Sequence, residues 1–295
     1  MKKGPVLAAL SYLMWGFFPI YWHRLSHVGA VEILLHRIIW SFIVVVVMLL
    51  FRRRWEWLRD NLRHPARLRV FVFTALLLAV NWLVYIWANN NGHIVEASLG
   101  YFINPLVNVV LGMVVLHEHM RRGQLIAIGI AAAGVLFLLL VAGGWLWISF
   151  ALAFSFGIYG LLRKTARLGS LEGLSVEMAV LTLPALAGML FLFREGQVVF
   201  GATDAVSNTL LAFSGVVTAV PLLLFAAGAR QVPLSTLGLL QYIAPTLQFF
   251  IGVLLYHEPF DHLRLIGFGL VWLALLLYWL ESYRYTRPSP LPLKT

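Results

Sequence analysis

Apolar residues run along this chain in ten stretches of about twenty, each closed by charged residues or by Gly, Pro or Asn. The stretches cover 4–23, 33–51, 70–89, 95–116, 123–142, 145–162, 172–193, 207–228, 234–256 and 263–282. A helix rises about 1.5 Å per residue and the hydrocarbon core of a bilayer is about 30 Å thick, so each stretch is long enough to cross. The pattern predicts an all-α membrane protein with ten transmembrane helices. No connection is long enough to hold a soluble domain.

Composition agrees, with 61% hydrophobic and 12% charged residues, against about 45–50% and about 25% for a soluble domain. The first stretch is too long for a signal-peptide core and lacks a small-x-small cleavage site, so it is expected to stay as the first span. The absence of cysteine excludes disulfides, thiolate metal sites and thiol nucleophiles. The net charge of +10 takes on meaning once the charges are placed. Eighteen of the 22 Lys and Arg residues fall at the two termini and in alternate connections: Lys2, Lys3, seven arginines in 52–69, Arg121, Arg122, Arg163, Lys164, Arg167, Arg230, Arg284, Arg287 and Lys294. Arg24, Arg194 and Arg264 occupy the other connections, and Arg37 lies within a span. This bias predicts basic cytoplasmic loops rather than a nucleic-acid surface. It puts both termini, including the tail 283–295, in the cytoplasm.

The chain also repeats itself. "NPLVNVVLGMVVLHEHMRRGQLIAIGI" (104–130) aligns without a gap on "APTLQFFIGVLLYHEPFDHLRLIGFGL" (244–270). Pro105 meets Pro245, Gly112 meets Gly252, His117-Glu118 meets His257-Glu258, Gly129 meets Gly269, and Asn108 meets Gln248. Chance similarity between leucine-rich spans does not match these residue types. The expected organisation is a first five-helix repeat over 4–142 and a second over 145–282. Five is odd, so the halves insert in opposite orientations. Inverted repeats of this kind mark secondary transporters that work by alternating access, with the solute site near the midplane between halves.

"WGFFPIYW", "EILLHRIIWS", "NWLVYIWA", "EASLGYFINPL", "FSFGIYGLLRK" and "SGVVTAVPLLLF" carry a more specific likeness across about 4–282. With the five-plus-five arrangement, they resemble the RarD-type permeases of the EamA family, within the drug/metabolite transporter superfamily. The resemblance implies the drug/metabolite transporter fold, a bacterial inner-membrane location and a central cavity. It leaves the solute open.

Ionisable residues within a span cost about 2.5–3.5 kcal/mol on insertion scales and are candidate functional sites. Arg37 lies about five residues inside the second stretch, with His36 and Trp40 on one helix face and Ser41 beside Arg37 on the next. Glu177 falls opposite His36-Arg37 in the repeat but enters from the other membrane face. Depth therefore predicts two gate pairs: Arg37 with Glu96 near the outside, and Glu177 with Arg230 near the inside. Neutralising Glu177 is expected to ease insertion rather than impede it. Aromatic residues deep in the spans, namely Trp15, Tyr21, Trp22, Trp40, Trp82, Tyr85, Tyr101, Tyr159 and Tyr242, adjoin the amides Asn81, Asn104, Asn108, Gln241 and Gln248. Asn104 beside Pro105 is expected to break the fourth helix, and proline frees carbonyls that are tolerable where they line a cavity. Aromatic walls with a few amides suit flat, semi-polar organic molecules. The stripes Ser149-Ala153-Gly157, Ala127-Ala131 and Gly129-Ala133 are expected to pack helices closely.

"HEHMR" (117–121) fails the zinc-hydrolase pattern H-E-x-x-H at Arg121, and its repetition at 257 points to a helix terminator. No nucleotide-binding or Ser/His/Asp constellation stands in a suitable context, so neither cofactor nor metal is expected, and no enzymatic activity. The leading expectation is a proton-coupled exporter of small organic metabolites or drugs, with His36, Glu96 or Glu177 carrying the proton. A non-transporting assembly subunit, a channel and an intramembrane enzyme are the alternatives. Expected partners are the solute, the proton and the lipid bilayer, with a second copy of the chain left open.

Overall fold

The computed structural model describes residues 3–53, 55–63, 68–91, 93–142, 145–257 and 262–286. Glu258, which completes the second His-Glu pair, and most of the tail lie outside the described residues. The described chain is helical, and ten of its helical segments are long and apolar enough to cross a membrane. The first span comprises α1 (Lys3–Gly16) and α2 (Phe18–His23), the second α3 (Ala30–Arg52). A short surface helix, α4 (Glu56–Arg63), precedes the third span, α5 (Arg69–Asn90). Then come α6 (Ile94–Val114), α7 (Arg122–Ala142), α8 (Leu146–Thr165), α9 (Ser170–Arg194) and α10 (Ala205–Ala229). The ninth span divides into α11 (Leu234–Gln241), α12 (Ile243–Phe250) and a π-helical turn (Ile251–Leu255), and α13 (His262–Thr286) is the tenth. Below, the face carrying Lys3 is the near face and the opposite one the far face.

The packing follows the repeat. The second span packs on the seventh, the fourth on the ninth and the fifth on the tenth. The first packs on the eighth as the sixth does on the third, the second on the eighth as the seventh on the third, and the fourth on the sixth as the ninth on the first. Adding five to every span number returns the same set of neighbours, which is the mark of a pseudo-two-fold axis. The first repeat starts at the near face and, after five crossings, ends at the far face, where the second starts. The fold is two inverted five-helix repeats that intercalate.

Close approach at the crossings depends on glycine. A Cβ on Gly215 would stand 2.3 Å from the Trp40 carbonyl carbon, so α10 lies directly on the backbone of α3, and Ser41 Oγ donates to Gly215 O there (3.2 Å). A Cβ on Gly238 would stand 2.5 Å from Pro105 O, where α11 crosses α6. The expected stripe Ser149-Ala153-Gly157 faces α6, with a Gly157 Cβ 2.6 Å from Val107. Ala127 and Ala131 are buried, but the Gly129-Ala133 stripe faces outward: nothing lies within 4 Å of a Gly129 Cβ and Ala133 is exposed.

One further expectation changes. The fourth span is unbroken, since α6 runs through Asn104 and Pro105. Pro105 costs the helix one backbone bond, and Asn104 ties the segment sideways by donating to Ala153 O (2.6 Å). The breaks fall instead at Phe17 in the first span and Tyr242 in the ninth. His117 and His257 both adopt left-handed backbone with φ of 52° just past their spans, as helix terminators do. Glu118 then turns to a neighbouring helix: its carboxylate accepts from Leu234 N (2.6 Å), Ser235 N (3.0 Å) and Ser235 Oγ (2.7 Å), satisfying the first donors of α11. At the far face, Asp204 caps α10 by accepting from Val206 N and Ser207 N. The Ser207 hydroxyl and N–H, with Val206 N–H, pull the Asp204 carboxyl down to about 2.

Candidate functional site

A cavity of about 270 Å³ lies between the repeats, from mid-depth into the far half. Its walls come from both repeats: Tyr12, Trp15, Phe18, Pro19 and Trp22 of the first span, Arg37 of α3, Asn81, Trp82 and Tyr85 of α5, and Tyr101 of α6. Phe156 of α8, Thr218 and Leu222 of α10, and Gln241, Ala244, Pro245 and Gln248 of the ninth span complete it.

The broken spans build this cavity through their prolines. Pro19 lacks an N–H, so the carbonyl of Trp15, four residues earlier, has no helical donor. Gln248 Nε2 supplies one from α12 at 3.0 Å. Pro105 and Pro245, equivalent in the repeat, likewise free the carbonyls of Tyr101 and Gln241, both on cavity-lining residues. Tyr242 OH donates to Phe102 O (3.2 Å), joining another equivalent pair across the axis.

Among the described residues, Arg37 is the only Lys, Arg, Asp, Glu or His side chain in the wall. Its Nε donates to Thr218 Oγ1 (3.1 Å), and its guanidinium carbon lies 5.1 Å from the Trp22 ring centroid and 5.0 Å from that of Trp82. The expected pair with Glu96 is not formed. Glu96 sits at the far end of α6, 3.5 Å from His93 Nδ1, and accepts from Trp145 N (3.4 Å). The depths match, but α3 packs on α9 and α10 while α6 packs on α8 and α11, so the two helices are not neighbours.

Glu177 sits below the cavity towards the near face, and its partner is Arg163 rather than Arg230. Arg163 Nε lies 3.7 Å from Glu177 Oε1, with the side chains 1% and 0% exposed. Thr74 Oγ1 is 2.6 Å from the same carboxylate oxygen and Tyr159 OH 3.4 Å from the other. Arg163 donates to Ser170 O (2.9 Å) and lies 5.5 Å from the Phe71 ring, while its Nε and Nη1 are buried without hydrogen-bond partners. Arg230 donates to Leu168 O, and Lys164 bonds Ala229 O and Val232 O. Tyr159 stacks on Phe225, which packs on Trp15 and Phe156, so an aromatic layer separates the Glu177 cluster from the cavity.

Of the sequence candidates, Trp15, Trp22, Arg37, Asn81, Trp82, Tyr85, Tyr101, Gln241 and Gln248 line the cavity. The others lie elsewhere. Trp40 Nε1 donates to His36 Nδ1 (3.1 Å) on their shared face, and His36 lies 3.7 Å from Glu32, which itself accepts from Val199 and Phe200 N–H groups. Tyr21 bonds Leu210 O. Asn108 Nδ2 lies 3.1 Å from Asn104 Oδ1 and 3.0 Å from Gln241 Oε1, so these amides form a buried brace behind the wall. Tyr159 and Glu177 form the lower cluster. Sequence reasoning missed Tyr12, Phe156, Thr218 and Arg163. The spacing Tyr12, Trp15, Pro19, Trp22 lies on one helical face and could have flagged Tyr12; nothing in the chain singles out Thr218.

The EamA-like transporter family model matches this chain twice, over residues 2–140 and 143–280. A Streptomyces exfoliatus protein named RarD is 50% identical over 98% of this chain and 91% of its own length. The Escherichia coli (strain K12) protein RarD is 42% identical over 98% of both chains. A Bacillus subtilis (strain 168) relative named as an uncharacterized transporter, YojE, is 44% identical over 98% of this chain and 97% of its own. A solved crystal structure superposes with a TM-score of 0.73 at 17% identity, over 96% of this chain and 99% of its own, and shares the fold. Ten apolar spans and bacterial transporter relatives make this a multi-pass inner-membrane transporter. The chain belongs to the EamA-like transporter family, as a RarD-type permease.

Proposed function

We propose that the chain is a secondary active transporter that exports small organic solutes by alternating access, in exchange for protons, with both termini in the cytoplasm. The cavity carries this reading. It is roofed and walled by both inverted repeats, it reaches mid-depth, and it lies on the far side of an aromatic layer and a set of near-face polar links. With the near face cytoplasmic, as the basic loops favour, this is an outward-facing arrangement. Glu177 is the proton carrier of the proposal: a carboxylate bound to Arg163 under the aromatic layer would release Arg163 on protonation and loosen the near face. Glu96 and His36 sit at the far face, away from that layer, and have no such lever.

The test is reconstitution with a solute chosen by comparing metabolite pools in overexpressing and deletion cells. Saturable flux driven by an imposed pH gradient and abolished by a protonophore supports the proposal. Linear flux would make the chain a channel, and chemical conversion of the solute an enzyme. Fusions of a cytoplasm-only reporter after Thr295 should be active; activity only for a periplasmic reporter would reverse the orientation.

A further inference from the structure

We infer that the cavity is a receptor for aromatic monoanions, with Arg37 holding a carboxylate on the solute and the tryptophans and tyrosines holding its ring. The inference rests on the transport reading and names its solute class.

Among the described residues, Arg37 is the sole charged side chain lining the cavity, and no carboxylate pairs with it. Its guanidinium is aimed rather than mobile. Thr218 anchors Nε, and Trp22 and Trp82 lie over the ring-like cation at about equal distances. Anchoring Nε leaves the two Nη groups, neither of which has a hydrogen-bond partner among the described residues. They present a planar fork of N–H donors, the geometry that a carboxylate meets with two parallel bonds. An unpaired cation inside a membrane is costly, so an anion entering here gains the full interaction with a charge that the protein itself leaves uncompensated.

The rest of the wall fixes the remainder of the molecule. Trp15, Tyr85, Tyr101 and Phe156 give flat apolar surface that suits an aromatic ring. Tyr12 backs this surface with no exposed area of its own. A cationic solute is disfavoured twice, by Arg37 and by the lack of any acidic residue in the wall among the described residues.

The experiment uses the full chain in phosphatidylcholine nanodiscs, with quenching of the cavity tryptophans read during titration at pH 7. The probes are 3-phenylpropanoate, its amide 3-phenylpropanamide and the amine 3-phenylpropylamine. The expected order is acid tighter than amide by at least about tenfold, with the amine weakest. Arg37→Gln should bring acid and amide to equal affinity, and residual binding of both certifies the fold. Should Arg37→Gln yield no folded protein, Thr218→Val, which frees the guanidinium but keeps its charge, should cut the acid preference several-fold. Equal binding of acid and amide by the natural chain overturns the inference. So does the absence of binding by all three probes, or an acid preference that survives Arg37→Gln or, where that variant fails, Thr218→Val. These outcomes leave transport of neutral solutes standing. Unchanged metabolite pools in deletion cells would instead defeat the transport reading without touching the binding result.

Discussion

Glu177→Gln removes a charge from a membrane span, and insertion energetics alone predict that this is harmless. The structure reverses the sign. Glu177 and Arg163 are both buried, 3.7 Å apart, and among the described residues Arg163 has one hydrogen bond, to Ser170 O, with Nε and Nη1 unsatisfied. At an effective dielectric constant of about 20, charges at this separation attract by about 4 kcal/mol. Breaking a buried pair by removing one partner costs about 3–5 kcal/mol, since the survivor stays buried. Glu177→Gln should therefore raise the unfolding constant by roughly a hundred- to a few-thousand-fold. Removing both charges with similar volumes, as Arg163→Met with Glu177→Gln, should restore stability to within about 1 kcal/mol of the natural chain. Equilibrium unfolding of the two single variants and the double variant in mixed micelles measures the cycle. Neutral single variants, or a double variant as unstable as the sum of both, would refute the coupling. The double variant also separates stability from transport: it should keep solute exchange yet lose its response to an imposed pH gradient.

Other outcomes follow from the packing and the caps. Gly215→Ala should cost at least about 1–3 kcal/mol through its clash with the Trp40 backbone, whereas Gly129→Ala, with open space around it, should gain about 0.5–1 kcal/mol; unfolding midpoints of the pair check both. Gln248→Leu should cost about 1–3 kcal/mol by orphaning the Trp15 carbonyl, and adding Pro19→Ala, which restores a helical N–H to that carbonyl, should recover most of the loss. Strict additivity in that second cycle would show that Gln248 serves something else. The Asp204 carboxyl is held down at about 2, against an ordinary value of 3.8, so its cap contributes fully above the ordinary value and is lost as pH falls through about 2. Acid unfolding curves should lose that component in Asp204→Asn, and identical curves would exclude it.

The ten spans, their inversion and the inward aim of Arg37 were legible because each rests on a local quantity: length, periodicity, charge bias, or identity at a fixed offset. The gate pairs were not, because depth in a membrane is readable from a sequence and azimuth is not. Arg37 and Glu96 match in depth yet stand on helices that do not touch. Arg163 escaped notice by its place near the end of its span, where it counted as one more basic loop residue. A long side chain two residues inside Thr165 can nonetheless reach Glu177, seven residues inside the next helix. The cavity was legible in kind, as aromatics with amides. It was misplaced in part, since Asn104, Asn108 and Tyr242 support the wall from behind.

Arg37 and Glu177 each lie seven residues into a span, at the same position of the two repeats, and each meets a threonine of the other repeat, Thr218 or Thr74. Transposing the conformations of the two repeats would generate the opposite-facing state from this one. In that state Glu177 would take the cavity-lining place and Arg37 the sealed one. A solute would then meet a guanidinium when the site opens to one side and a carboxyl group when it opens to the other. Duplication supplied the symmetry of the scaffold, and the sign of one charge breaks it, so the two states would set opposite charges against the solute. Because the chain has no cysteine, Glu177→Cys combined with Arg163→Met would report that exposure directly: reactive towards water-soluble reagents from the near side during turnover, and inert in the state described here.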